Sequence, residues 1–440
     1  MTLWDSLAAA LTGSWLDNWL MIVPLMLICL FLNMPVWLAM FAGILTYFVC
    51  YSNVPLTVAV QRLIATTQTP SLLAIPFFIL LGTLMSYTGI ASRILNIANV
   101  LVGRMRGGLG CANILVSTMM GGVSASNLAD AAMLSRMMVP EMEQKGYSRG
   151  FAAAITACGS LITPIIPPGI ALILYGLVAD VSIGKMFMAG ILPGLLCAAV
   201  LMLTVWLVAR RQNFQPSRIS WPGGREIAVS LAQAWPALFL IVAVVGGIRA
   251  NIFTPTEAGA VAVLIVLIIG FGVYRELRVR HVFQALSETA RATASVMLII
   301  MASAALGWIF SLERAGVTVA QFVTHLTENK YLFLLAINVL LLVLGMFLEG
   351  SAILLILVPL LKPVVAHYGI DPVHFGIIMI INLSLGTISP PVGTVMLLVC
   401  NTVQVSVGAF LRAAVPLIVA LLALLMIITY IPAFSLLLVG

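Results

Sequence analysis

The sequence predicts an all-α membrane protein that crosses the bilayer many times. Of its 440 residues, 62% are hydrophobic and only 8% are charged, and the mean hydropathy is +1.18. Soluble domains carry about 25% charged residues. Apolar runs of spanning length recur from end to end, and two of them are interrupted by double prolines, Pro167–Pro168 and Pro390–Pro391. These observations exclude a soluble domain and predict a bundle of spanning and broken helices.

Basic residues outnumber acidic ones, 21 to 14. They lie mainly in short loops, where they orient a membrane protein by facing the cytoplasm, so they do not indicate a nucleic-acid partner. The loops that carry them are marked by Arg104, Arg106, Lys145 and Arg149, by Arg210, Arg211, Arg218 and Arg225, and by Arg275, Arg278 and Arg280. With these loops in the cytoplasm, both chain ends face the periplasm.

The first half of the chain predicts one series of elements. The apolar run from Trp19 to Tyr51 has no basic leader or cleavage site, so it is interpreted as two membrane helices and not as a signal peptide. The series is a helix pair (19–32, 35–51), an amphipathic stretch (58–69), a span (70–87), a second amphipathic stretch (91–108), two short arms (108–122, 128–145), a helix broken at 163–169 and a span (188–209).

The second half predicts the same parts in the same order. They are a helix pair (235–249, 257–274), an amphipathic stretch (281–292), a span (293–312), a second amphipathic stretch (315–329), two arms (331–348, 352–367), a helix broken at 389–394 and a final span (409–437). Asp130 and Glu349 each lie ten positions before a Val-Pro proline, Pro140 and Pro359. This weak internal symmetry indicates two inverted repeats, each with a re-entrant hairpin and a broken helix.

The breaks predict a site near the middle of the membrane, because irregular backbone is tolerated there only when it lines a cavity or is buried in protein. A broken helix frees carbonyl groups that suit a hard cation such as sodium, and N–H groups that suit a carboxylate. The candidate cation ligands are Ser124, Ser126, Asn127, Thr163, Gly169, Glu349, Gly350, Ser351, Thr387 and Gly393. The candidate substrate-binding residues are Asn127, Asp130, Pro168, Ser351, Ser389, Pro391 and Thr394.

Several of these residues also have a structural interpretation. Asn127 followed by Asp130 resembles a helix cap with an acidic residue in the first turn, and Ser351 could cap the next arm. Asp130 and Glu349 could either act in binding or only complement a helix N-terminus. We expect Arg136 to reach the cytoplasmic surface. The surface is also expected to hold His325, His367 and His374, whereas the six cysteines are expected to be buried.

No phosphate-binding loop, zinc-protease motif or nucleophile elbow is present, so the sequence predicts neither an enzyme nor an organic cofactor. Four segments instead resemble the large membrane subunit of tripartite ATP-independent periplasmic (TRAP) transporters. They are "GGVSASNLADAAML", "VPEMEQKGY", "FAAAITACGSLITPIIPPGIALILYG" and "DPVHFGIIMIINLSLGTISPPVGTVMLL", and the resemblance covers nearly the whole chain.

The resemblance implies a sodium-driven importer of an organic acid in the bacterial inner membrane. It implies two partners, a small four-helix membrane subunit and a soluble periplasmic substrate-binding protein, and sodium as the coupling ion. We expect the small subunit to be a separate chain, since only some twenty residues precede the first span. The implied cation sites lie at the hairpin tips and the adjoining helix breaks, at the positions given above.

The implied fold is similar to the elevator-type ion transporter superfamily, with a mobile domain in a fixed scaffold. We expect 107–180 and 331–403 to form the mobile domain, with 1–106, 181–330 and 404–440 as scaffold and the stretches 91–106 and 313–329 as hinges. Two alternatives remain open. One is a stand-alone sodium/dicarboxylate symporter of the same superfamily, and the other is a channel or scaffold subunit without coupled transport.

Overall fold

The computed structural model describes residues 22–32, 34–50, 54–121, 126–212, 214, 216 and 222–439. Ser124, Arg218 and the first three residues of the predicted helix 19–32 therefore lie outside the described residues. The described part of the chain folds into twenty α-helices and contains no β-strand. Within the described ranges, seven helices are long and apolar enough to cross a membrane, or eight if the bent pair Leu56–Thr67 and Pro70–Ser86 is counted as one span.

The first half of the chain follows the predicted order closely. Its helices are α1 (Ile22–Phe31), α2 (Val36–Cys50), α3 (Leu56–Thr67), α4 (Ala74–Ser86), α5 (Ile90–Val102), α6 (Gly108–Gly121), α7 (Asn127–Gln144), α8 (Arg149–Ser160), α9 (Ile170–Ala179) and α10 (Ile183–Arg211). The two arms of the first hairpin are α6 and α7, and the two parts of the first broken helix are α8 and α9. With 14 residues, α6 is about 21 Å long, too short to cross a bilayer core of about 30 Å.

The second half repeats this arrangement. Its helices are α11 (Gly224–Arg249), α12 (Pro255–Ile268, extended by a π-helical turn to Val273), α13 (Val279–Leu312), α14 (Ala315–Leu326), α15 (Lys330–Phe347), α16 (Gly350–His367), α17 (Pro372–Gly386), α18 (Thr394–Val403), α19 (Val407–Tyr430) and α20 (Ala433–Leu436). The second hairpin is α15 and α16, and the second broken helix is α17 and α18.

Three predicted boundaries are wrong. The helix expected at 235–249 begins eleven residues earlier, at Gly224. The amphipathic stretch 281–292 and the span 293–312 form one continuous helix of 34 residues, α13, since no proline or glycine interrupts the chain between them. The final span ends at Tyr430 instead of 437, because Pro432 cannot continue the helix and a short separate helix, α20, follows it.

The helices pack into two groups. We call α6–α10 and α15–α19 the hairpin bundle, and α1–α4 with α11–α13 the outer bundle. Within the hairpin bundle the repeats interlock: α7 packs against α18 of the other repeat, and α16 packs against α9. The connecting helix α5 packs between α6 and α11, and the connecting helix α14 packs between α13 and α16. These two helices correspond to the predicted hinges.

The packing places α10 and α19 with the hairpins. Helix α19 contacts α8, α10 and α17, and α10 contacts α6, α9 and α17. The sequence assigned both helices to the scaffold. Which helices move together stays a prediction, but the contacts group α10 and α19 with the hairpin bundle.

A buried polar network ties α19 to the second hairpin. Asn338 of α15 donates to the Thr429 hydroxyl at 3.1 Å and accepts from Asn382 of α17. His374 contacts the Ser435 hydroxyl at 2.6 Å and the Thr429 carbonyl oxygen at 3.2 Å. His374 is therefore buried, not at the surface as predicted, because α20 folds over the start of α17.

The other surface and burial predictions hold with one exception. Arg136, His325 and His367 are exposed, in agreement with the predicted surface positions, and the cytoplasmic location of Arg136 stays a prediction. Five of the six cysteines are buried, but Cys50 at the end of α2 is exposed.

The two bundles meet where α13 crosses α16. Pro359 has no N–H group, so the Leu355 carbonyl one turn earlier lacks its usual helical partner. The Ser303 hydroxyl of α13 donates to this carbonyl, and both groups are buried. One turn further along α13, a Cβ atom on Gly307 would lie 3.6 Å from Pro359. A free carbonyl on one bundle is thus satisfied by a side chain of the other.

Ser303→Ala is expected to destabilise the folded protein by about 1–3 kcal/mol, since it leaves the Leu355 carbonyl buried without a donor. Thermal unfolding of the purified variant measures this loss. Ser295→Ala on the same helix is the control, because Ser295 is exposed. Equal melting temperatures for Ser303→Ala and Ser295→Ala would contradict the proposed role of the contact.

Candidate functional site

A cavity of about 530 Å³ lies between the two bundles and is lined by both hairpins and both broken helices. On the outer-bundle side its walls are the C-terminal half of α4 and the first half of α13. It brings together most of the predicted site residues from the two inverted repeats. Those that line it are Ser126, Asn127, Thr163, Gly169, Glu349, Gly350, Ser351, Thr387 and Thr394.

Four helices of the described chain begin at this cavity. Their first residues, Asn127, Ile170, Gly350 and Thr394, all contribute to its wall. A helix N-terminus presents unpaired N–H groups and the positive end of the helix dipole. The arms and half-helices that precede them, α6, α8, α15 and α17, end close to the same tips and breaks. The arrangement therefore offers N–H groups for an anion and carbonyl groups for a cation within one site.

At the first hairpin the cap is Ser126, not Asn127. The Ser126 hydroxyl accepts a hydrogen bond from the Ala129 N–H at 3.3 Å, and Asn127 is the first helical residue. The Asn127 side chain is half-buried in the cavity wall. Capping accounts for Ser126 alone, and Asn127 stays available for binding.

Asp130 does not line the cavity, although the sequence proposed it as a substrate-binding residue. It is 3% exposed, and its Oδ2 accepts a hydrogen bond from the Thr163 hydroxyl at 2.8 Å. Thr163 lies in the first helix break and is itself 2% exposed. The Asp130 carboxylate therefore connects the first hairpin tip directly to the first helix break, behind the surface of the cavity.

At the second hairpin the corresponding carboxylate is exposed. Glu349 is the residue before α16, and its side chain makes no capping hydrogen bond. Ser351 is the second residue of α16 and does not cap it either, contrary to the structural interpretation of the sequence. Both side chains line the cavity, so the two inverted hairpins present different groups to it.

The second helix break is tied to the second hairpin. The Gly393 N–H donates to the Met346 carbonyl at 3.2 Å, and the Thr387 carbonyl accepts from the N–H groups of Val395 and Met396. The Thr387 carbonyl, expected to be freed by the break, is thus bonded to the start of α18. Thr394 is exposed to the cavity.

Besides Asp130, four predicted residues of the described chain do not line the cavity. Pro168 is buried, Pro391 is exposed but does not line the cavity, and Gly393 is buried at a positive φ of 49°. Ser389 is buried with its hydroxyl bonded to the Leu385 carbonyl at 2.9 Å. The double prolines therefore do not line the cavity, whereas Thr163 and Gly169 of the first break and Thr387 and Thr394 beside the second break do.

The outer bundle contributes polar residues that sequence reasoning missed. The cavity is also lined by Thr83, Ser86, Glu288 and Ser295, with Ser384 of α17. Glu288 accepts a hydrogen bond from the Tyr87 hydroxyl at 3.0 Å. Of these residues, only Glu288 carried a signal in the sequence, as an acidic residue within the predicted amphipathic stretch 281–292. Its position in the chain does not indicate which side chains lie beside it.

With this geometry in place, comparison with known proteins decides the family. The family model described as "Tripartite ATP-independent periplasmic transporter, DctM component" matches residues 23–434. The chain belongs to this family. It is a large permease subunit of a TRAP transporter, as the sequence motifs predicted, and the predicted multi-span α-helical class is confirmed.

Two relatives and one solved structure illustrate the similarity of this TRAP permease to other proteins. The sialic acid TRAP transporter large permease protein SiaM of Vibrio cholerae is 37% identical over 93% of this chain and 95% of its own. The C4-dicarboxylate TRAP transporter large permease protein DctM of Pseudomonas aeruginosa is 36% identical over 85% of this chain and 87% of its own. The crystal structure of the Alcanivorax borkumensis YdaH transporter has the same fold, with a TM-score of 0.61 and 15% identity, over 94% of this chain and 97% of its own.

Proposed function

We propose that this TRAP permease imports an organic acid across the bacterial inner membrane, driven by sodium, together with a small membrane subunit and a periplasmic substrate-binding protein. The single observation that carries the proposal is the convergence of both inverted hairpin tips and both helix breaks on one cavity. Relatives named for a sialic acid and for a C4-dicarboxylate support a carboxylate substrate.

The charge of the cavity supports sodium coupling. Among the described residues, its lining includes two carboxylates, Glu288 and Glu349, and no lysine, arginine or histidine. An anionic substrate entering such a cavity needs positive charge, which helix N-termini supply only in part. Bound cations at the hairpin tips would supply the rest, with hydroxyl, amide and carbonyl oxygens of Ser126, Asn127 and Ser351 as ligands. Substrate and sodium would then bind cooperatively.

An elevator movement is supported by the division into two bundles. The hairpin bundle carries the tips and breaks, whereas the outer bundle supplies the facing walls on α4 and α13. We propose that the hairpin bundle, including α10 and α19, slides along α13 while α5 and α14 act as hinges. The Ser303–Leu355 contact must open during this movement.

A sodium-specific gain in thermal stability tests the proposal without knowledge of the substrate. The chain, purified with its small membrane subunit, is expected to melt at higher temperature in sodium chloride than in potassium or choline chloride at equal ionic strength. At a hundred times its dissociation constant, a ligand of the folded state stabilises it by about 2.7 kcal/mol. Ser126→Ala, Asn127→Ala and Ser351→Ala should each reduce the sodium-specific shift.

Ser148→Ala is the matched control for Ser126→Ala. Ser148 caps α8 with the same geometry, accepting from the Phe151 N–H at 3.3 Å, but does not line the cavity. Its loss should lower stability in all three salts and leave the sodium-specific shift unchanged. Equal melting temperatures in the three salts, for a folded and monodisperse sample, would rule out sodium as the coupling ion.

Reconstitution distinguishes the alternatives. Sodium-dependent uptake of succinate or N-acetylneuraminate that requires the binding protein supports the TRAP mechanism. Uptake of the free acid by this chain alone would indicate a stand-alone symporter. Flux that does not saturate with substrate would indicate a channel.

A further inference from the structure

A second cavity, of about 780 Å³, lies on the other side of the contact between the two bundles. Its walls come from α3, from the C-terminal half of α13 and from α14 on one side, and from α9 and α16 on the other. Along α13, residues 288–299 line the first cavity and residues 300–311 line the second. By the orientation proposed from the basic loops, the second cavity is on the periplasmic side.

Only a thin barrier separates the two cavities. Leu355 lines the first cavity, and Ser303, which donates to its carbonyl, lines the second. Ile299 and Ile300, both buried on α13, also lie on either side of this division. A molecule in the second cavity is therefore next to the substrate cavity, on the side from which an imported substrate arrives.

The two cavities have opposite charge. Among the described residues, the ionisable groups of the first are Glu288 and Glu349, whereas the second is lined by Arg62, Arg314 and Lys362 with a single carboxylate, Asp180. Lys362 and Asp180 form an ion pair at 2.6 Å. This pair is internal to the hairpin bundle and cancels its own charge.

The two arginines remain without a carboxylate partner within the described part of the chain. Arg62 lies over the ring of Trp308, with its guanidinium carbon 5.6 Å from the ring centroid. Glu313 is next to Arg314 in the chain, but its carboxylate accepts from the Tyr47 hydroxyl and does not line the cavity. Two permanent positive charges thus face a cavity large enough for a small organic acid.

Trp308 gives this cavity a rigid apolar wall beside the arginines. Its ring stacks on Phe48 with centroids 6.0 Å apart and an angle of 9° between the planes. The Ser311 hydroxyl lies one turn further along α13 and lines the same cavity. A planar guanidinium binds a carboxylate through two parallel hydrogen bonds, so the cavity combines carboxylate-binding groups with an aromatic surface.

On the basis of the import function above, we propose that Arg62 and Arg314 form a second carboxylate-binding site, which captures the organic acid before it enters the substrate cavity. Both arginines lie outside the hairpin bundle, on α3 and at the junction of α13 with α14. The capture site would therefore stay in place while the hairpin bundle moves. Once sodium neutralises the acidic first cavity, a carboxylate held there would no longer be repelled from it, and the helix N-termini would attract it further inward.

The first test measures the charge of the cavity and does not require transport. Ser311→Cys is introduced with Cys50→Ser, which removes the exposed native cysteine, and the chain is purified with its small membrane subunit. The thiol is then labelled with an anionic methanethiosulfonate (sulfonatoethyl) or a cationic one (trimethylammonioethyl). Each rate is divided by that of the same reagent with mercaptoethanol, which removes differences in intrinsic reactivity.

We expect the anionic reagent to react about tenfold faster than the cationic reagent at low salt. The ratio should fall towards one at high salt and in the double variant Arg62→Gln/Arg314→Gln. Lys330→Gln is the control, because Lys330 lies at the same end of the second hairpin as Lys362 but does not line the cavity. This substitution should leave the ratio of the two rates unchanged. Equal rates for the two reagents, or an unchanged ratio in the double variant, would overturn the capture site.

The second test separates a small acid from a docking protein. Succinate or N-acetylneuraminate should slow labelling by both reagents, and the double variant should raise the half-saturating concentration for uptake about tenfold with little change in maximal rate. The opposite outcome is that neither acid slows labelling and that the double variant impairs uptake only when the binding protein delivers the substrate. This outcome would assign the arginines to protein docking and overturn the proposal. Because labelling needs neither sodium nor transport, failure of sodium-dependent uptake would reject the proposed function separately.

Discussion

Gly386→Ala is expected to cause a large loss of stability and to abolish sodium-specific stabilisation. A Cβ atom at this position would lie 2.5 Å from the Gly345 carbonyl carbon and 2.6 Å from its Cα. Neither atom can rotate away, because both belong to the backbone of α15. The helices α15 and α17 must separate, and overpacking of this kind typically costs about 1–3 kcal/mol, sometimes more.

The position of this close approach explains its effect on the site. Gly386 is the last residue of α17, directly before Thr387, and Gly345 is two residues before the end of α15. Separation of the helices would therefore move the second helix break away from the second hairpin tip. The Gly393 N–H bond to the Met346 carbonyl lies in the same region and would be lost with it.

Thermal unfolding in sodium and choline chloride measures both effects of Gly386→Ala. Gly408→Ala is the matched control, because Gly408 also lies in a helix of the hairpin bundle but a Cβ atom added there would meet nothing within 4 Å. This control should be neutral or slightly stabilising, since alanine has the higher helix propensity. If Gly386→Ala unfolded at the same temperature as Gly408→Ala, the close approach of α15 and α17 would be disproved.

Asp130→Ala is expected to destabilise the protein by about 1–3 kcal/mol and to impair uptake severely. The change leaves the buried Thr163 hydroxyl without its carboxylate acceptor, and an unsatisfied buried polar group costs about that much. It also disconnects the first hairpin tip from the first helix break. Asp130→Asn retains a side-chain carbonyl as acceptor and should preserve more of the stability.

The pair of substitutions separates structure from charge at Asp130. If the negative charge contributes to cation binding, Asp130→Asn should remain folded but lose part of the sodium-specific shift. The control is Asp180→Asn, which breaks an exposed ion pair with Lys362 and should cost at most about 1 kcal/mol. Asp130→Ala with the stability of the unsubstituted chain would refute the role assigned to the Asp130–Thr163 bond.

The hairpin arms show how far local sequence predicts this fold. The second arm was expected at 128–145 in the first repeat and at 352–367 in the second, and these helices are Asn127–Gln144 and Gly350–His367. Hydropathy and polar tip residues mark the ends of such helices directly. The continuous α13 was missed because a change from amphipathic to apolar composition does not interrupt the backbone hydrogen bonds of a helix.

The site was predicted less completely than the helices. Nine of the proposed residues line the cavity, but Asp130, Pro168, Gly393, Ser389 and Pro391 lie behind or outside its wall. Position in the chain indicates that a residue is near a break, but not which way its side chain points. The residues of α4 and α13 on the opposite wall were missed by this reasoning, since these helices carry neither a break nor a hairpin tip.

The sequence by itself determined the membrane class, the two inverted series, the positions of the breaks and the family. These follow from hydropathy, proline and short motifs, which act on the backbone within a few residues. Only the tertiary structure decided that Asp130 is buried while Glu349 is exposed, that His374 is enclosed, and that Arg62 and Arg314 share a cavity. The physical reason is that burial and charge pairing depend on which helix faces meet, and these contacts join different helices: Asp130 and Thr163 are 33 positions apart in the chain, and His374 and Ser435 are 61 apart.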